Sequence, residues 1–76
     1  MRIELTKGIN NEFYIPLYKS QRIYLRIMSI DIDGDKVDKK DYYMMGPRKV
    51  HINIPLKESN RVYAKIMDIE RGNRLQ

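Results

Sequence analysis

Cysteine and tryptophan are absent from this sequence, and histidine and phenylalanine occur once each. Without thiols there is no disulfide, no thiolate metal site and no cysteine nucleophile, and a reducing compartment suits such a chain. A lone His51 has no second histidine or close acidic cluster beside it in the sequence, so it reads as a strand-surface imidazole rather than a catalytic group or ligand. The four glycines, Gly8, Gly34, Gly46 and Gly72, are scattered and each sits in a turn context, which excludes a glycine-rich phosphate loop. Long apolar runs are also missing. Nothing approaches the roughly 18 continuous apolar residues of a membrane span, and "MRIELTKGINNEF" lacks the apolar centre of a signal peptide. These absences lead us to expect a cytoplasmic, non-enzymatic protein with no cofactor, no metal and no membrane partner.

What is present is charge, tyrosine and methionine. Fifteen Lys and Arg stand against ten Asp and Glu, a formal charge of +5 that favours phosphates or acidic protein surfaces as partners. A 76-residue chain is one domain near the lower limit for a single core, because such chains bury only ~60% of their unfolded surface.

The chain also repeats itself. "IPLYKSQRIYLRIMSID", from Ile15, returns as "IPLKESNRVYAKIMDIE", from Ile54, and nine of the twenty positions in 12–31 and 51–70 are identical. With one extra residue in the first copy, Gly34 matches Gly72 and Val37 matches Leu75, so the repeat continues to Gln76. A short extended stretch and a glycine precede each copy, "RIELTKG" from Arg2 and "YYMMG" from Tyr42. This predicts two similar halves, 1–38 and 39–76, each too small to bury its own apolar face and therefore packed on the other.

The repeated segments 22–31 and 61–70 carry polar residues at helical spacing, which leaves an α+β alternative open. Three features favour strand. Both copies place basic residues first and acidic residues last, against the helix macrodipole. Ile, Val and Tyr dominate, and they suit pleated sheet. Pro16 and Pro55 precede the segments where only a strand end or edge tolerates proline. Read as strands, the apolar set moves from odd positions (Ile23, Leu25, Ile27) to even ones (Met28, Ile30, Ile32), and the second copy switches at the same place. Such a change of face predicts a β-bulge near Ile27 and Ile66. "DG" at Asp33-Gly34 and "RGN" at Arg71 to Asn73 read as hairpin turns, and "KSQ" and "ESN" as turns closing the earlier hairpins. The pattern "IPL…RVYAKIMDIERGNRL" resembles the strand–turn–strand signature of immunoglobulin-like β-sandwich modules of the flagellar hook-capping kind. The resemblance implies strands and carries no activity with it.

The fold expected is all-β: six or seven short strands in two pseudo-symmetric βββ halves, forming a small sandwich or barrel. Its core would take in Ile3, Leu5, Ile15, Leu17, Ile23, Leu25, Ile27, Ile30, Ile52, Ile54, Leu56, Val62, Ile66 and Ile69. "DIDGDKVDKKDY" places Asp31, Asp33 and Asp35 like the first ligands of a calcium loop. Lys36 occupies the obligatory glycine position, however, and Tyr42 the bidentate glutamate position, so an acidic hairpin tip is the better description.

The remaining signal is a doubled stripe. Arg22, Tyr24 and Arg26 would share one strand face, and Arg61, Tyr63 and Lys65 would do so in the other half. Cations neutralise phosphates and tyrosines stack on bases at ~1–3 kcal/mol each, so nucleic acid, DNA or RNA, is the first partner expected. Lys19, Lys39, Lys40, Arg48 and Lys49 would widen that surface. A structural alternative uses the same charges. If the two repeated strands pair antiparallel, Arg22 would oppose Glu70 and Arg61 would oppose Asp31, and the stripe would serve register. A second structural alternative makes Tyr24 and Tyr63 core or half-buried, with their hydroxyls at the rim. A different function is a protein-interaction module, such as a viral or mobile-element accessory protein, an assembly subunit or a homo-oligomer, using exposed strand edges or the Tyr42 to Met45 patch. Exposure of that patch favours a protein partner, because Met adapts and Tyr is enriched at interfaces.

Overall fold

The computed structural model describes residues 1–16, 25–46 and 48–68. It is all-β, with strands β1 (Arg2–Glu4), β2 (Thr6–Lys7), β3 (Glu12–Tyr14), β4 (Leu25–Ile32), β5 (Asp35–Lys36), β6 (Tyr42–Gly46), β7 (Lys49–Ile52) and β8 (Val62–Asp68), plus one 3₁₀ turn over Lys39–Asp41. Two four-stranded antiparallel sheets pack as a small sandwich, one in the order β1-β8-β4-β5 and the other β2-β3-β7-β6. The α+β alternative does not apply to the described parts of the repeated segments, which are strands and neighbours in one sheet.

Alternation builds the core. On β8 the even positions Val62, Ala64 and Ile66 are buried while Lys65 and Met67 face out, the period of two expected of a half-buried strand. Opposite them, β4 sends Ile27, Ile30 and Ile32 inward. The parity change from odd to even occurs where the ladder skips a residue: Ile27 faces Ile66, Ser29 faces Lys65, and Met28 is the extra residue of a bulge. The bulge predicted near Ile27 is therefore present on β4. The bulge predicted near Ile66 is absent: β8 pairs without interruption from Val62 to Asp68, and Met67 faces out because the single bulge on β4 already supplies the change of phase. Met28, assigned above to the inward set, is exposed, because the bulge spends it on changing the phase.

The second sheet contributes Phe13, Val50 and Ile52, with Leu5, Ile15 and Val37 buried at strand ends. Ile3, Ile54 and Leu56 pack on this cluster, whereas Leu17, Ile23 and Ile69 lie outside the described residues, and of Leu25 only the backbone is described. Phe13, Val37, Val50 and Ala64 join the core without having been expected there. Val50 and Ala64 fall on the same period of two as Ile52 and as Val62 and Ile66, so alternation marks them; Phe13 lies in a three-residue strand and Val37 just past a two-residue one, too short to show a period.

Two register facts relate the chain's portions. Ile27 lies opposite Ile66 and Glu12 opposite His51, and each pair is separated by the offset of the sequence repeat. The strands are nevertheless unevenly divided, with β1 to β5 before residue 39 and β6 to β8 after it, and both sheets draw on both portions. Hence no half owns a sheet. Asp33 and Gly34 form the predicted hairpin turn between β4 and β5, both at positive φ (51° and 97°), as a two-residue turn matched to strand twist requires. The "ESN" segment is a turn but does not close a hairpin: it leads into β8 of the first sheet from a stretch that leaves β7 of the second. It is clamped by side chains. Asp33 accepts hydrogen bonds from Asn60 Nδ2 (2.8 Å) and the Arg61 N–H (3.2 Å), and Asn60 Oδ1 accepts one from the Lys57 N–H (2.8 Å). "KSQ" and "RGN" lie outside the described residues.

Candidate functional site

Two solvent-facing surfaces bear the residues of interest. The first is the outer face of the β1-β8-β4-β5 sheet, where the predicted stripe falls. Of its six residues, Arg22 and Tyr24 lie outside the described residues, while Arg26, Arg61, Tyr63 and Lys65 are placed. Because Val62, Ala64 and Ile66 point inward, Tyr63 and Lys65 point outward with Met67, and the strands on either side supply Arg2 and Glu4 from β1 and Arg26, Ser29 and Asp31 from β4.

This face is woven together by its own charges. Arg2 donates Nε and Nη2 to the two oxygens of Asp31 at 3.1 and 2.8 Å, and its guanidinium lies over the Tyr63 ring, 3.8 Å from the centroid. That fork geometry matches a carboxylate bidentately while stacking on an aromatic. The Arg2 hydrogen bonds hold the Asp31 carboxyl below its usual range; desolvation opposes this, and the Gly34 N–H, at 2.9 Å from Oδ2, reinforces it. Arg61 reaches Glu4 at 3.7 Å.

The expected antiparallel pairing of the repeated strands is present, in a different register. Arg61 lies across from Asp33, whose N–H donates to the Arg61 carbonyl at 2.9 Å, and Asp31 faces Tyr63. The ladder is centred one residue further along than the charges suggested, and the bulge adds another. Arg22 and Glu70 lie outside the described residues. Tyr63 is half-buried under Arg2, while Arg26 and Lys65 are exposed and make no ion pair among the described residues. The stripe thus divides into a neutralised part and two outward cations. Nothing in the sequence marks Arg2 as part of the stripe, because β1 lies upstream of where the repeat is clear.

The second surface is the edge and outer face of the β2-β3-β7-β6 sheet. Strand β6 is its edge, with β7 as its neighbour. Among the described residues it is the longest of the four edge strands, five residues against three for β1 and two each for β2 and β5. Tyr42 turns inward against the core, but Tyr43, Met44 and Met45 are 51%, 41% and 40% exposed. A bulge between Met44 and Gly46 leaves Met45 without an opposite residue. Tyr43 stacks on His51 across the pair, centroids 5.1 Å apart and planes at 29°, and His51 Nε2 is 3.1 Å from Asn53 Oδ1. Further along, Lys49 lies 3.7 Å from Glu12 and 5.5 Å from the centre of the Tyr14 ring. Tyr14 itself lies against Gly8, where a β-carbon would meet the ring at 2.5 Å.

Comparison with protein-family models, curated proteins and solved structures finds no match. The functional reading therefore rests on the two surfaces.

A cleft of about 360 Å³ is lined by Asp33, Asp35, Asp38 and Asp41 with Lys36, but both Asp33 oxygens are engaged by the "ESN" turn. Among the described residues no three His, Cys, Asp or Glu side chains are grouped to hold a metal ion. No helix of the described residues is long and apolar enough to cross a membrane.

Proposed function

We propose that this is a non-enzymatic binding protein of the cell interior whose partner is another protein, docked at the β6 edge. One observation carries the reading: the longest edge strand among the described residues presents Tyr43, Met44 and Met45 to solvent, with neither lysine nor proline inside it to deter pairing. Met and Tyr are residues that adapt to and anchor protein interfaces. Immobilised protein compared with its Met44→Lys/Met45→Lys double variant tests this. A partner retained by the wild type should be lost from the variant while the β spectrum is unchanged, and retention of the same partner by both would overturn the reading.

A second reading keeps the nucleic-acid expectation on the opposite sheet, and Arg26 and Lys65, outward and without an ion pair among the described residues, support it. It predicts binding that weakens steeply with salt and is lost in Arg26→Glu/Lys65→Glu. Purified protein free of nucleic acid at low salt, with no mobility shift on single-stranded DNA, duplex DNA or RNA, would refute it. Tyr63 contributes stacking there only if Arg2 leaves its ring.

A further inference from the structure

We infer that the partner enters as an added β-strand whose flanks are acidic. This rests on the reading of β6 as the interface and extends it to the chemistry of the occupant. Backbone phase comes first. The Asn53 N–H donates to the Asp41 carbonyl at 2.7 Å, which makes Asp41/Asn53 a hydrogen-bonded pair and, two residues on, Tyr43/His51 another. Ile52, opposite Tyr42, directs its N–H to the Asn11 carbonyl on the other side at 3.0 Å, as that phase demands. The N–H and C=O groups of Tyr42 and Met44 therefore point away from β7, to the side on which no strand pairs with β6 among the described residues. They offer the ladder that strand addition uses, and the alternate side chains supply selectivity.

Side-chain positions then set the pattern. Residues of the incoming strand that lean inward meet Met44 and the rim of Tyr42, and so should be apolar. Those on the outer side meet the Tyr43–His51 stack. The bulge at Met45 bends β6 and confines the docked segment to its first arm.

Charge selects the occupant. Lys39 and Lys40 are exposed in the turn that leads into β6, and around this edge the four cations Lys39, Lys40, Arg48 and Lys49 stand against three carboxylates, Asp38, Asp41 and Glu12, the last 3.7 Å from Lys49. The whole chain carries +5. A second copy would bring the same excess to the same edge, whereas carboxylates flanking an apolar strand complement it and speed encounter.

Panning a display library of random dodecapeptides on the full-length protein tests the inference. Enriched peptides should alternate apolar residues between acidic flanks and should lose affinity with rising salt. They should also bind about tenfold more weakly to Lys39→Glu/Lys40→Glu. Met44→Pro removes a donor that β7 does not use, so it should keep the fold and abolish binding; Met44→Lys serves the same purpose if the proline variant fails to fold. Peptides that lose binding in these Met44 variants but show no acidic bias and ignore Lys39→Glu/Lys40→Glu would overturn the charge inference and leave the β6 interface standing. Peptides indifferent to Met44, a library that yields no enrichment, or a dimer in light scattering that dissociates in Met44→Lys would overturn the added acidic strand.

Discussion

Deleting Met28 should leave the fold intact, although it removes a residue from the longest strand. In the ladder Ile27 faces Ile66 and Ser29 faces Lys65, so excising the residue between them restores continuous pairing. Ile27, Ile30 and Ile32 would still point inward and Ser29 and Asp31 outward. Met28 is 40% exposed and lies outside the buried cluster. The expected change is within about 1–2 kcal/mol, the scale of one ordered backbone residue. Deleting Ile30, two residues on, is a different perturbation. Its side chain has no solvent exposure, and losing it costs ~2–5 kcal/mol as for other large aliphatics. The shortened strand would also aim Asp31 into the core, where an unpaired carboxylate adds several kcal/mol more. Together these match or exceed the whole stability of a chain this size, about 4–11 kcal/mol. Urea unfolding followed by circular dichroism separates the two: a cooperative transition near the wild-type midpoint for the Met28 deletion, and none for the Ile30 deletion. Equal damage from both would refute the view that Met28 only changes the strand's phase.

Other expectations follow from single side chains. Asn11, at φ 59°, donates from Nδ2 to the carbonyls of Ile52 (3.0 Å) and Ile54 (2.9 Å), so Asn11→Ala should cost ~1–3 kcal/mol in denaturant unfolding and Asn11→Gly less. Gly34 sits at φ 97° in open space, and Gly34→Ala should destabilise by about 1 kcal/mol, with Gly34→Asn milder. Because the folded carboxyl of Asp31 is depressed, its contribution is complete above the unfolded value of about 3.9 and is lost as pH falls through the folded one. Asp31→Asn should therefore lower the melting temperature at neutral pH and approach the wild type in acid, and parallel pH curves would contradict this.

Sequence reading reached the strands, the bulge and the Asp33-Gly34 turn because each leaves a local mark: alternation, a parity change, a residue free to take positive φ. It reached β6 as an extended stretch and its exposure as the deciding question. The register of β4 against β8 was not legible. Complementary charges suggested Arg61 against Asp31, but exposed pairs of this kind contribute only ~0.2–1 kcal/mol, and inward packing of Ile27, Ile30, Val62 and Ile66 outweighs them. Nor was the Arg2 cover over Tyr63 legible, since it joins residues distant in the chain and follows only from β1 lying beside β8. The role of Phe13 was hidden for the same reason: one aromatic between Glu12 and Tyr14 gains its importance from the opposite sheet.

The first seven residues belong to both sheets. Arg2–Glu4 pair with β8, the Leu5 N–H holds the Val62 carbonyl at 2.8 Å, and Thr6 and Lys7 pair with β3. Tension applied at the amino terminus would be shared between the two layers through Leu5, like a seam sewn through two cloths. A protease that trims this segment would bare the flank of β8 and the flank of β3 in one cut.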